Sequence, residues 1–167
     1  MTIEFKAWPK IPRLYNEKIF ITEKIDGTNA CIIIDEEGNF GCQSRSRIIT
    51  PDDDNYGFAR WAYDNKEDLM KLGHGHHYGE WWGLGIQRNY DMKEKRFSLF
   101  NTARWNTEGQ VKPDCCHVVP MIEGTIEEAL ETLKTKGSFA SPGFMRVEGI
   151  IVYNSLAKSY YKVIIDK

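Results

Sequence analysis

The apolar positions of this chain fall mostly into short runs ended by turn residues. Ala30 to Ile34, the polar stretch Glu36-Glu37-Gly38-Asn39 and Phe40 to Ser44 make the pattern of a β-hairpin. Two segments change period. After the polar start signal Pro51 to Asn55, the residues Phe58, Trp61, Ala62, Leu69 and Leu72 recur at near-helical spacing, and Gly73 closes the helix. Thr125 and Glu128 form a capping box ahead of Ile126, Ala129, Leu130 and Leu133, which predicts a second helix. Val147 to Tyr153 and Ser159 to Ile165 read as closing strands. Strands outnumber helices, and the helices do not alternate with them as in a doubly wound sheet. The expected fold is therefore α+β, with antiparallel sheets flanked by a few helices around a central groove.

Against this pattern the run Ile21-Thr22-Glu23-Lys24-Ile25-Asp26-Gly27-Thr28-Asn29 stands out. Apolar residues on both sides place Lys24 at the mouth of a strand–loop–strand element. A lysine amine attacks phosphorus or a carbonyl only when neutral, and an ordinary pKa near ~10.4 leaves roughly one in two thousand neutral at pH 7. A nucleophilic lysine thus needs nearby cations or desolvation. Taken alone, the run suits an Asp-Gly turn with a solvated lysine equally well. Three further charges sit in apolar surroundings: Glu80 between Gly79 and Trp81-Trp82, Glu148 inside Val147 to Val152, and Lys162 flanked by Tyr160, Tyr161 and Val163. Charges so placed demand partners.

Composition changes the picture little. The 167 residues suit one domain with a sizeable core, and 41% apolar with 28% charged residues is ordinary for a soluble globular protein. No apolar run approaches eighteen residues and no signal-peptide pattern opens the chain, so neither a membrane nor a secreted fate is expected. Cys31, Cys42, Cys115 and Cys116 lack a disulfide spacing, which points to reduced thiols in a cytoplasm. The net charge of −2 argues mildly against nonspecific nucleic-acid binding and says nothing of local patches.

Lys24-Ile25-Asp26-Gly27-Thr28-Asn29 resembles motif I of the covalent nucleotidyltransferases, the superfamily of RNA ligases, DNA ligases and capping enzymes. Ser44-Arg45-Ser46-Arg47 resembles motif Ia, Tyr78-Gly79-Glu80 motif III, Phe97 to Asn101 motif IIIa, Val147 to Val152 motif IV and Tyr160 to Val163 motif V. The motifs run in family order over nearly the whole chain, and the wording Thr-Glu-Lys-Ile-Asp-Gly-Thr-Asn is most similar to ATP-dependent RNA ligases of the double-stranded-RNA-repair type, phage members included. The resemblance implies an adenylyltransferase fold around a nucleotide-binding groove. It implies Lys24 as the nucleophile that takes AMP from ATP, with Mg2+ or Mn2+. Glu23, Asp26 and Gly27 would line the nucleotide, Glu80 would accept from the ribose hydroxyls, Glu148 would be the metal-linked carboxylate and Lys162 an α-phosphate ligand. Phe100 would stack on the base, in preference to Phe97 on the opposite strand face. Arg45 and Arg47 share one strand face, and Arg47 is the preferred nucleotide contact. The second lysine common in motif V is missing, since Ile164 follows Lys162 by two places and Tyr160 precedes it by two; Lys158 is displaced.

The expected partner is RNA with 5′-phosphate and 3′-hydroxyl ends, and Arg88, Lys93, Lys95 and Arg96, interleaved with Tyr90, are the candidates to grip its phosphates. The expected unit is a single nucleotidyltransferase domain over 1–167 with no oligonucleotide-binding barrel, gripping RNA alone or with a second subunit (homodimer or partner), in a cytoplasm (the host's, for a phage protein). Two other classes compete: a small DNA nick-sealing ligase and a non-sealing nucleotide- or RNA-end-binding module. His74, His76, His77 and Cys115-Cys116-His117 lack the paired short spacings of a zinc site and suit exposed loops better.

Overall fold

A computed structural model describes residues 2–11, 18–106 and 111–165. Two sheets carry the fold. The first has the order β10-β9-β1-β8, built from β1 (Ile19–Lys24), β8 (Met121–Ile122), β9 (Gly149–Asn154) and β10 (Ser159–Ile164). The second has the order β4-β3-β2-β5-β6-β7, from β2 (Thr28–Ile34), β3 (Phe40–Ser44), β4 (Ile48–Ile49), β5 (Gly75–Gly83), β6 (Lys95–Leu99) and β7 (Cys116–Val118). Pairing is antiparallel throughout except between β6 and β7, which run parallel. The mixed α+β architecture is the one that the sequence pattern predicts.

Alternation sorts each strand into two faces. Ala30, Ile32, Ile34, Trp81, Phe97 and Leu99 point into one core with Phe58, Leu69 and Leu72. Ile21, Ile150 and Val152 pack with Ala129 and Leu133 of α4 (Ile126–Lys136). A third cluster of Ile25, Trp82, Tyr90, Val119 and Phe144 ties residues of both halves together near the lysine loop.

α4 opens as its sequence predicts: Thr125 accepts from the Glu128 N–H, and Glu128 accepts from the Thr125 N–H, 3.1 Å each. The other predicted helix is broken. It forms α1 (Phe58–Asp64), α2 (Lys66–Leu69) and a 3-10 turn, Met70–Leu72. Asn65 is the reason, because its side-chain amide donates to the Trp61 carbonyl at 2.8 Å while its backbone leaves helical angles. The start signal acts through Asp54, whose carboxylate accepts from the Ala59 and Arg60 N–H groups. His76 and His77 belong to β5, not to an exposed loop, and His77 is buried against the Gly73 carbonyl at 2.8 Å. Burial also holds the His77 ring below its usual pKa. A short α3 (Thr102–Trp105), β7 and β8 carry no signal in the hydrophobic pattern.

Candidate active site

Lys24 ends β1 opposite Gly149, the first residue of β9. A side chain at 149 would collide with the Val163 carbonyl, so only glycine lets β10 lie against β9 here. Just before it, Val147 enters the α4 core and Glu148 takes the opposite face beside the lysine. Its Oε1 accepts from the Lys24 Nζ at 2.8 Å, while its Oε2 is buried with no hydrogen-bond partner among the described residues. A buried acceptor left without a donor is costly, so this oxygen is open to a further partner.

The loop after the lysine is held at each residue. Ile25 is buried in the third cluster. The Asp26 N–H donates to the Tyr90 hydroxyl at 2.7 Å, and its carboxylate accepts from the Arg88 Nε at 3.0 Å. Arg88 also reaches the Arg146 carbonyl at 2.9 Å, which links this loop to the segment that brings in Glu148. The Gly27 N–H donates to the Glu80 carboxylate at 2.8 Å. A Cβ on Gly27 would collide with the Trp81 carbonyl and the Trp82 Cβ, so the close approach requires glycine. Burial pushes Glu80 up to about 7; the Gly27 N–H and the Lys24 charge pull it down, and Glu148 and Asp26 push it up. Glu80 thus shares one electrostatic site with Lys24, Asp26 and Glu148.

Glu23 faces the other way. Its carboxylate accepts from the Ser138 hydroxyl at 2.7 Å and from the Phe139 and Ala140 N–H groups at 2.8 and 3.0 Å. Burial raises its pKa against the pull of these donors. Its side chain anchors the 138–140 loop and its N–H donates to the Pro120 carbonyl at 3.0 Å, so Glu23 supports the strand that carries Lys24 and does not line the nucleotide as expected.

Phe97 is 0% exposed and packs among Phe58, Trp61 and Trp81, whereas Phe100, just past the end of β6, is 43% exposed. The Phe100 N–H donates to the Tyr78 carbonyl at 3.0 Å, which carries the pairing of β5 and β6 one step further and sets Phe100 on the face that bears Glu80 and Ser98. Asn29 pairs directly with Glu80 across β2 and β5, which puts it on the Glu80 face of the sheet, a placement that nothing in its local sequence marks.

Four placements differ from expectation. Arg45 and Arg47 do not share a strand face: the Ser44 N–H bonds the Arg47 carbonyl at 2.9 Å and closes a bend over 45–47. Arg47 donates to the Asp53 and Asp54 carbonyls and pairs with the Asp53 carboxylate. Arg88 is engaged with Asp26 and is no open-loop cation. Arg96 lies in β6 and pairs with Glu94 at 3.1 Å, while Lys93 and Lys95 are exposed. Lys162 is exposed on β10, in register with Ile151, on the face that carries Lys24. Tyr90, expected as an aromatic interleaved with the RNA-gripping cations, is instead buried and bonded to the lysine loop; nothing local marks it as core.

A divalent cation fits this site in part. Among the described residues no three His, Cys, Asp or Glu side chains converge on one point. Glu148 alone offers an unsatisfied oxygen, so most ligands of such an ion would come from a bound triphosphate and water, the usual arrangement for Mg2+.

A family model described as RNA ligase matches residues 17–164. A search of curated proteins returned no match. A structure of a Naegleria gruberi RNA ligase variant with ATP and Mn is similar at TM-score 0.61 and 19% identity, covering 89% of this chain and 48% of that one. A second variant of that enzyme, with AMP and Mn, gives 0.62 and 20%, covering 89% and 49%. The same enzyme with PPi gives 0.60 and 20%, with the same coverage. The chain therefore spans about half the length of the solved proteins it matches.

Proposed function

The chain belongs to the RNA ligase family, and from that membership and the geometry around Lys24 we propose that it activates and joins RNA ends with ATP. The neutral Lys24 amine attacks the α-phosphorus of ATP, a nitrogen–phosphorus bond forms, the α–β phosphoanhydride breaks and pyrophosphate leaves. Glu148 sits 2.8 Å from the amine, placed to hold the proton it must lose. Mg2+ or Mn2+ bound at Glu148 would supply charge neutralisation at the phosphates. AMP then passes to an RNA 5′-phosphate, and a 3′-hydroxyl displaces it to seal the strand.

The observation that carries this reading is the Lys24–Glu148 pair with one Glu148 oxygen left unsatisfied beside it. The Naegleria variants support it. They replace two lysines, two glutamates and an aspartate, and the aspartate follows the first lysine by two positions, as Asp26 follows Lys24. Their second glutamate precedes the second lysine by fourteen, the spacing of Glu148 and Lys162. In this reading Glu80 receives the ribose hydroxyls, Phe100 stacks on the adenine and Lys162 contacts the α-phosphate. Asp26, Gly27 and Glu23 set the loop and strand that carry Lys24. Lys93 and Lys95 supply the open phosphate grip, and Arg45 and Arg47 are both exposed on their bend. A cytoplasmic setting accords with four free cysteines, and no helix among the described residues is long and apolar enough to cross a membrane. Residues 1–167 act here as the nucleotidyltransferase unit, alone or beside a second subunit.

The test is sealing. With ATP and Mg2+, the protein should join a nick bearing 5′-phosphate and 3′-hydroxyl RNA ends faster than the same nick in all-DNA form, since an RNA end offers a 2′-hydroxyl to recognise. Charge reversal at Lys93 and Lys95 should lower sealing and spare AMP transfer to Lys24. Equal sealing of both nicks, or full sealing by the reversed variant, contradicts the substrate assignment.

A further inference from the structure

The face of the first sheet that carries Lys24 continues away from the site in rows set by strand register. Lys24, Gly149 and Ile164 form one row, and Thr22, Ile151 and Lys162 the next. The third row is wholly aromatic: Phe20, Tyr153 and Tyr160. Their rings touch in series, with centroids 6.4 Å apart between Phe20 and Tyr153 and 4.8 Å between Tyr153 and Tyr160. At about 3.4 Å per residue, this row lies roughly 14 Å along the strands from Lys24.

None of the chemistry assigned to Lys24 uses these rings, and folding does not bury them. Tyr160 is 72% exposed and Phe20 41%. The core of this sheet lies on its other side, against α4. Cations bracket the row: Lys162 stands one row inward, while Lys18 and Lys158 lie at its outer end, and none of the three is paired with an acid among the described residues. Flat, exposed rings between positive charges are the elements of a single-strand platform, where bases stack on the rings and phosphates meet the lysines. An apolar protein partner would gain nothing from this ring of positive charge, whereas a polyanion would.

We propose that Phe20, Tyr153 and Tyr160 form a stacking platform for unpaired bases of an RNA strand leading to the Lys24 site, with Lys18 and Lys158 on its phosphates. This rests on the ligase reading above, so the experiment separates the two. The probe is a single-stranded 5′-phosphorylated RNA carrying 2-aminopurine near its end, titrated into the whole chain. Tyr160→Ala should weaken its binding about tenfold or more, the loss of one stacked base. Tyr160→Phe should bind like the native protein, and Tyr160→Leu, apolar but without a ring of π-electrons, should resemble Tyr160→Ala. Tyr161→Ala, on the same strand but the opposite face, should leave binding unchanged. All four should take AMP onto Lys24 at the native rate and sediment like the native protein. Native binding by Tyr160→Ala or Tyr160→Leu, or loss of binding in Tyr161→Ala as well, overturns the platform. A change in sedimentation that tracks Tyr160 overturns it in favour of a protein interface. Failure of the native chain to take AMP at all defeats the ligase reading instead, whatever the RNA titration gives.

Discussion

Burial makes Glu80 a group that titrates near neutrality. Its folded pKa, about 7, stands above the 4.5 of the free side chain, so the folded protein keeps a proton that the unfolded chain releases. Stability must therefore fall as pH rises through that window, and the loss is complete above it. Glu80→Gln keeps an oxygen for the Gly27 N–H but carries no charge, and it should remove this slope, up to about 3 kcal/mol. Urea unfolding of both proteins from pH 4.5 to 8 checks this: the curves should diverge with rising pH, the native protein being the weaker, and parallel curves contradict it. The two phenylalanines of the β6 region separate in the same way. Phe97→Ala should cost about 3–5 kcal/mol of stability, as a fully buried ring does. Phe100→Ala should leave the unfolding midpoint in place and raise the KM for ATP roughly tenfold, one stacked ring beyond its area. If the two phenotypes exchange, the face assignment is wrong.

At the scale of elements, local chemistry decides what the sequence discloses. The β2–β3 hairpin and the Thr125–Glu128 box are written within a few residues, and both form where the pattern puts them. The break at Asn65 depends on one amide turning back on Trp61, and periodicity cannot register it. β7 joins β6 in parallel across a long connection, which no local signal announces. The same division holds in the site. Lys24, Glu80 and Glu148 stand out as charges in apolar runs, and the fold brings them together. Glu23 finds its acceptor role with Ser138, 115 positions on, and Tyr90 with Asp26 across 64, so their partners were invisible. Thr125→Ala tests how far α4 is merely structural. It should cost about 1 kcal/mol by losing the cap, read as a lower unfolding midpoint, while AMP transfer to Lys24 stays at the native rate. A loss of transfer in the folded variant would show that α4 helps set the site.

At the scale of the whole molecule, the two sheets serve one end: β1 presents the lysine, β9 brings Glu148 to its side, and β2 with β5 places Gly27 against Glu80. The third cluster, with Tyr90 and Trp82 packed edge to face at 5.3 Å, holds these pieces together. In the proposed reading, the Lys24 amine and the Glu148 carboxylate beside it, one oxygen of which has no partner among the described residues, carry the first half of a ligation. The most direct measurement is the intact mass of the protein after incubation with ATP and Mg2+. The native chain should gain one AMP on Lys24 through a bond labile to acid and stable to alkali, and Lys24→Ala should gain nothing. The same mass gain in Lys24→Ala, or none in the native protein, would contradict the assignment of Lys24 as the nucleophile.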